Sequence, residues 1–142
     1  MRFMIIRKAD TETEAEAMPS TELIEAMTAY NEKLVAAGVM VGGDGLKASR
    51  YGAKISFSNG KPTVIDGPFA EAKELIAGYT VIDVASYEEA IEWVKQWPPE
   101  DGNGNVQLEL RRFVSMEDFG DALTPELQAR EQVMRDKTGD AV

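Results

Sequence analysis

Apolar and polar residues change their spacing several times along the chain, and each change marks an element. Phe3-Met4-Ile5-Ile6 is a continuous apolar run of strand length, and its lack of alternation suits a strand covered on both faces. Ala9 to Met18 is acidic and without period, which predicts irregular chain. Leu23, Met27, Tyr30 and Leu34 then recur at helical spacing, between the start signal Pro19-Ser20 with Glu22 and the stop at Gly38. Val39 to Leu46 opens as a strand and meets Gly42-Gly43-Asp44-Gly45, where a bulge or loop is expected. Ala53, Ile55 and Phe57 alternate with Lys54, Ser56 and Ser58, and Asn59-Gly60 separates them from Lys61 to Asp66. Both turn residues tolerate positive φ, so the two runs form a tight hairpin, and Pro62, having no N–H, belongs at an edge or a non-bonded position.

Thr80, Ile82 and Val84 alternate with Tyr79, Val81 and Asp83 in a further strand. Ser86 and Glu89 have the spacing of a capping box, and Tyr87, Ala90, Ile91 and Val94 form the buried stripe of a second helix that must end by Pro98-Pro99. Asp101 to Asn105 reads as a polar turn, and Val106, Leu108 and Leu110 alternate with Gln107, Glu109 and Arg111 in a last strand. Thr124-Pro125 starts a terminal helix to which Leu127 and Met134 give little apolar face, and the chain beyond Lys137 is expected to fray. This order predicts an α+β fold, a ferredoxin-like split βαβ arrangement with an added β-hairpin. Two helices cover one sheet face; the other stays apolar and open unless a second copy or the terminal segment covers it, so a homodimer with facing sheets is the expected solution. No internal repeat or linker divides the chain: one domain is expected over residues 1–120, with 121–142 as a C-terminal extension.

Composition narrows the chemistry. The 142 residues are 44% hydrophobic and 28% charged, a composition that folds, and their formal net charge of −10 repels phosphate backbones and anionic membranes. The basic residues form no stripe with interleaved aromatics, so direct nucleic-acid binding is not expected. The chain holds no cysteine and no histidine. Disulfides, thiolate nucleophiles, zinc-thiolate sites and every mechanism built on imidazole are thereby excluded. No stretch reaches transmembrane length and no signal peptide opens the chain, so the expectation is a cytoplasmic protein without membrane contact.

The segment Asp66-Gly67-Pro68-Phe69-Ala70-Glu71-Ala72-Lys73-Glu74-Leu75-Ile76-Ala77-Gly78-Tyr79 resembles the signature of the DGPF-motif branch of the YCII-related family. The likeness extends to Lys8-Ala9-Asp10, to Pro19-Ser20 with Met27, Tyr30 and Asn31, to Gly43-Asp44-Gly45-Leu46, to Glu88 through Trp93, and to Glu117-Asp118-Phe119-Gly120. The resemblance implies a dimeric α/β-barrel of ferredoxin-like subunits. It also implies relatives that work through a His–Asp pair, or that isomerise lactones or dehydrochlorinate; this sequence has aspartates but no histidine. Members of the branch carry loose labels of transcriptional regulation, to which a net charge of −10 lends no direct physical support.

The residues singled out for chemistry cluster around that signature. Asp66 either caps a turn by accepting from the following backbone, the more ordinary role, or serves as base or acceptor at the barrel mouth, with Pro68 stiffening the corner and Gly67 letting a ligand approach the backbone. Phe69 and Glu71 complete the ligand-facing set. Lys73 and Glu74 belong to a solvated turn or, with Asp66, hold and orient an anionic substrate. Arg50 and Tyr51 lie between the glycine cluster and the hairpin, where they would line a pocket. Gly42 to Gly45 lacks the spacing of a phosphate loop, no metal motif is present, and no cofactor is expected. Tyr30 belongs to the core stripe and its hydroxyl needs a structural partner; Trp93 and Trp97 are read as packing or dimer contacts. Two functional classes follow. One is a small-molecule-binding homodimer whose regulatory effect, if any, is exerted through another protein; the other is a cofactor-independent lyase, isomerase or hydrolase using Asp66 with Lys73, Glu74 or Arg50.

Overall fold

In a computed structural model that describes residues 1–139, the chain forms six strands and four helices. In order these are β1 (Arg2–Lys8), α1 (Thr11–Glu14), α2 (Thr21–Ala36), β2 (Met40–Gly45), β3 (Ala53–Ser58), β4 (Lys61–Asp66), β5 (Ile76–Asp83), α3 (Tyr87–Val94), β6 (Leu108–Arg112) and α4 (Pro125–Thr138). The architecture is mixed α and β with antiparallel sheets: four strands in the order β2-β5-β1-β6, and the pair β3-β4 apart from them.

Alternation along β1 sets the layers. Phe3, Ile5 and Arg7 are buried while their neighbours are half-buried, so these three share one face. Phe3 and Ile5 join Ile82 of β5, Tyr30 and Leu34 of α2, and Ala90 of α3 in a single core, which places both long helices on that face. Ile5, Leu34 and Ile82 are fully enclosed, each worth roughly 1.5–3 kcal/mol relative to exposure. The opposite face is partly covered: Val81 is buried there beside its cross-strand neighbour Met4, with Met4, Ile6 and Tyr79 half-buried.

Helix α2 starts and stops as the sequence predicts. The Ser20 hydroxyl accepts from the Leu23 N–H at 3.1 Å to open α2, and Gly38 beyond its end takes a φ of 72°. In α3 Ser86 accepts from the Glu89 N–H at 3.1 Å, but the Glu89 carboxylate reaches the Ala85 N–H at 2.9 Å instead of Ser86, so the expected box is not reciprocal. The reciprocal box stands instead at Asp10, in the segment expected to be irregular. Asp10 accepts from the Thr13 N–H at 2.8 Å and the Thr13 hydroxyl accepts from the Asp10 N–H at 2.9 Å, which ties off the single turn α1. Aperiodic apolar spacing hid a helix too short to need a buried face.

The glycine cluster does not break the strand as expected: Gly42 to Gly45 stay paired with β5 and the register shift falls just before them, between Met40 and Gly42, while Asn59 and Gly60 turn the β3–β4 hairpin with φ of 50° and 78°. Every residue of β3 and β4 is exposed. The terminal helix α4 begins at Thr124-Pro125 and keeps Leu127 and Met134 largely exposed. The expected fraying past Lys137 falls partly on residues 140–142, outside the described residues. No helix among the described residues is long and apolar enough to cross a membrane.

Candidate functional site

A guanidinium at the third inward position of β1 must find acceptors, because burying it unpaired costs several kcal/mol. Arg7 finds them in two loops. After α3 the chain stops at Pro98-Pro99 and turns through Gly102 and Asn103, both left-handed at φ 57° and 53°, which folds Asp101 back over the sheet. There Arg7 donates to both Asp101 oxygens, Nε at 3.1 Å and Nη2 at 2.7 Å, in the planar two-point geometry that suits arginine. Its Nη1 donates to the Lys8 carbonyl at 2.7 Å and to Asp10 at 2.9 Å. The Trp97 indole N–H adds a third bond to Asp101, at 2.9 Å.

Burial pushes the Asp101 carboxyl up, but the donors on Arg7 and Trp97 outweigh it and hold the group below the usual carboxylate range. Asp10 is held low in the same way, against its own burial, by the Thr13 N–H and by Arg7. The hydrogen bond to Asp101 keeps Arg7 more firmly protonated than usual. One cation thus faces two ionised carboxylates, so the node is structurally closed and carries excess negative charge.

A cavity lies on each side of Arg7. One, about 460 Å³, opens beneath α1 and the start of α2 and is bordered by Glu12, Thr13, Ser20, Leu23, Glu100 and Asp101. The other, about 350 Å³, lies between α2 and the ends of β2 and β5, bordered by Met27, Asn31, Met40, Asp44, Thr80 and Trp97. Gly43 and Gly78 leave bare backbone along its strand side. A Cβ at Gly43 would stand 2.6 Å from the Tyr79 carbonyl oxygen, so the close pairing of β2 and β5 demands glycine there, while one at Gly78 would stand a tight 3.1 Å from the Asp44 carbonyl oxygen. Asn31 borders this second cavity, and its Oδ1 is buried and accepts no hydrogen bond among the described residues. Beside it the Tyr30 hydroxyl donates to the Trp93 carbonyl at 2.8 Å, the structural partner expected for it. Burial pushes this hydroxyl up to about 12, so it stays a donor at neutral pH. Two further cavities, about 360 and 260 Å³, border Tyr30 with Lys33 and Phe113 with Arg112.

The residues singled out around the Asp-Gly-Pro-Phe corner lie elsewhere, and none of them borders these four cavities. Asp66 ends β4 opposite Ala53 and is exposed. Gly67 is needed, for a reason other than ligand approach: a Cβ there would sit 1.9 Å from the Ser49 carbonyl oxygen, and its N–H donates to the Gly52 carbonyl at 2.9 Å. It is the chain's own backbone that comes close. The Gly67–Pro68 peptide bond is cis and Pro68 is exposed. The Phe69 N–H donates to the Ser49 hydroxyl at 3.0 Å, the Ser49 N–H donates to Glu14 at 3.0 Å, and Lys54 lies 4.4 Å over the Phe69 ring.

Arg50 pairs with Glu16 and with the Tyr51 hydroxyl, and its guanidinium stacks 4.4 Å from the Tyr51 ring, with Lys47 at 4.6 Å from the same ring. Glu71, Lys73 and Glu74 are exposed around a short 3₁₀ turn. The fold therefore brings Gly67 and Phe69 to Ser49, and Arg50 to Tyr51. Among the described residues no ion pair joins Asp66 to Lys73 or Arg50, and no acidic group of three or more has metal-holding geometry.

Sequence reasoning missed Arg7, Asp101 and Trp97 as a unit, and took Asn31 only as part of the family likeness. One signal was available: Arg7 continues the inward register of Phe3 and Ile5, so a carboxylate had to be brought to it from a distant loop.

The model of the YCII-related domain matches residues 1–113. An uncharacterised protein of Rhizobium meliloti (strain 1021) is 36% identical over 69 residues, which are 49% of this chain and 56% of that protein. The chain thus matches about half the length of this curated relative. Among solved structures, the 5-chloro-2-hydroxyhydroquinone dehydrochlorinase of Burkholderia phenoliruptrix AC1100, in complex with 2,5-dihydroxybenzoquinone, aligns at 18% identity. The alignment covers 83% of this chain and 98% of that one, with a TM-score of 0.45. With the family's domain extending from the first strand through the last, the chain belongs to the YCII-related family.

Proposed function

We propose that the protein is a small-molecule-binding homodimer of the DGPF-motif branch, and that its ligand occupies the cavity between α2 and the ends of β2 and β5. The observation that carries this reading is Asn31, a residue that borders a cavity of about 350 Å³ and whose buried Oδ1 has no donor among the described residues. Buried acceptors are seldom left without a donor, and a ligand N–H or O–H would complete this one. Met27, Met40 and Trp97 supply apolar walls, and Thr80 a second polar contact. Arg7 is already engaged by two carboxylates, so the site favours a neutral, donor-bearing organic molecule over an anion.

The strand order β2-β5-β1-β6, with α2 and α3 on one face, supports a ferredoxin-like subunit. The half-buried Met4, Ile6 and Tyr79 on the other face support pairing of two such sheets into a barrel. The alternative, acid–base catalysis at Asp66, draws less support from an exposed carboxylate with no cation in ion-pair contact among the described residues.

A thermal-shift screen of neutral polar metabolites on the wild type, Asn31→Leu and Asp66→Asn tests the assignment. The expected result is a compound that raises the wild-type midpoint and that of Asp66→Asn but leaves Asn31→Leu unmoved. A compound that shifts Asn31→Leu as strongly as the wild type would remove the site from this cavity.

A further inference from the structure

Cross-strand pairing lines up Gly45, Gly78, Arg7 and Leu108 as one row of the four-stranded sheet. Residues paired directly across an antiparallel ladder project to the same face, and Arg7 projects toward the helices with Phe3 and Ile5. Position 45 therefore faces the helices as well. Yet Gly45 is exposed, and a Cβ built on it would meet no heavy atom beyond its chain neighbours within 4 Å. The cavity of about 350 Å³ between α2 and the ends of β2 and β5 lies over it, bordered by Gly45 together with Gly78, Arg7 and Asn31.

Packing accounts for Gly43 and bears on Gly78, whose added Cβ atoms would press on the carbonyl oxygens of Tyr79 and Asp44. Gly45 meets no such obstacle, and its φ lies outside the left-handed region that calls for glycine. A glycine inside a strand weakens it, and where the chain's own backbone does not demand one, it marks the close approach of another group. At position 45 the chain itself supplies no such group.

We infer that Gly45 is the specificity-determining residue of the binding site proposed above: it keeps the sheet side of the cavity open for the slim, apolar end of a neutral ligand whose donor serves Asn31. The inference rests on that site and adds the shape of what fills it. The end on the sheet is apolar because Arg7, in the same row, is turned to Asp101, Asp10 and the Lys8 carbonyl. Asp44 and Tyr79 pair with each other on the opposite face, in register with Ile6, while Met27 and Met40 border the cavity.

Backbone-amide NMR titration of the wild type, Gly45→Val, Gly42→Val and Asn31→Leu with acetamide, butyramide and hexanamide tests this role. Each probe carries an N–H donor, and only the apolar end grows along the series. Gly42 pairs with Val81 on the other face and also has no neighbour within 4 Å of an added Cβ, so Gly42→Val controls for the new side chain. In the wild type the Gly45, Gly78 and Asn31 resonances should move, with affinity rising from acetamide to hexanamide. Hexanamide should bind Gly45→Val roughly 10-fold or more weakly while acetamide stays within a few-fold, and the unfolding midpoint should hold or rise because valine suits a strand. Gly42→Val should bind all of them as the wild type does. A lower midpoint in Gly45→Val assigns the glycine to the fold and overturns the inference. Undiminished hexanamide binding by Gly45→Val also overturns it, but leaves the site standing where Asn31→Leu has lost the amides. Amides that bind Asn31→Leu normally, or that never move the Asn31 and Gly45 resonances of the wild type, overturn the site and the role of Gly45 together.

Discussion

Arg7 and Asp66 are both charged residues near strand ends, and the fold treats them oppositely. Arg7 is drawn inward on a central strand, where four hydrogen bonds and two carboxylates close around it. Asp66 ends the outer strand of a ribbon and is left in solvent. The first placement is expensive unless fully compensated, so it fixes the positions of Asp10 and Asp101 and, with them, part of the wall of the cavity beneath α1. The second costs nothing and fixes nothing. The lesson is that the conspicuous motif marks a turn the chain must make, while the enclosed polar chemistry lies around a residue that no motif announces.

The contrast breaks most visibly at Asp101. Asp101→Ala leaves the Arg7 guanidinium buried with only Asp10 and the Lys8 carbonyl, and should cost about 3–5 kcal/mol in urea denaturation. A loss below about 1 kcal/mol would show that water reaches Arg7 and that the node is not closed.

Next in size is Gly67→Ala. A methyl 1.9 Å from the Ser49 carbonyl oxygen forces the corner open, at a cost of about 1–3 kcal/mol. Because the corner anchors the ribbon, the loss should appear first as faster amide exchange in β3 and β4, with the four-stranded sheet spared.

Acid sharpens the same comparison. Asp10 and Asp101 are held below their unfolded values, so the unfolded chain binds protons more readily and their contribution is complete only above about pH 5. It is lost as pH falls through the depressed range. Acid titration of the unfolding free energy should therefore be shallower in Asp101→Asn than in the wild type, and an unchanged slope would deny the pair its role. The smallest effect belongs to Asp66→Asn, expected within about 0.5 kcal/mol of the wild type because the side chain is exposed.

Much of the fold was legible in the sequence for reasons that are local. The α2 stripe ending on Tyr30 and Leu34, the Asn59-Gly60 turn and the Pro98-Pro99 stop each depend on a spacing or a backbone preference that neighbours do not override. The site was less legible because its members are far apart: Arg7 and Asp101 are separated by most of the chain, and only the strand order brings them together. Asp101 read as a turn residue since its loop is rich in glycine and asparagine, as indeed it is. The motif segment misdirected attention for the complementary reason. Gly67 and Phe69 are demanded by packing on Ser49, and a packing demand and a binding demand look alike in one sequence.

The most direct measurement compares Asn31→Leu and Asp66→Asn for affinity and stability together, using calorimetric titration of the first compound that shifts the wild type. Leucine removes a buried acceptor that has no donor among the described residues, so apo Asn31→Leu should be more stable than the wild type by about 1 kcal/mol while its affinity falls at least about tenfold. Asp66→Asn should match the wild type in both. An Asn31→Leu protein that binds normally, beside an Asp66→Asn protein that does not, would contradict the account and return the site to the corner.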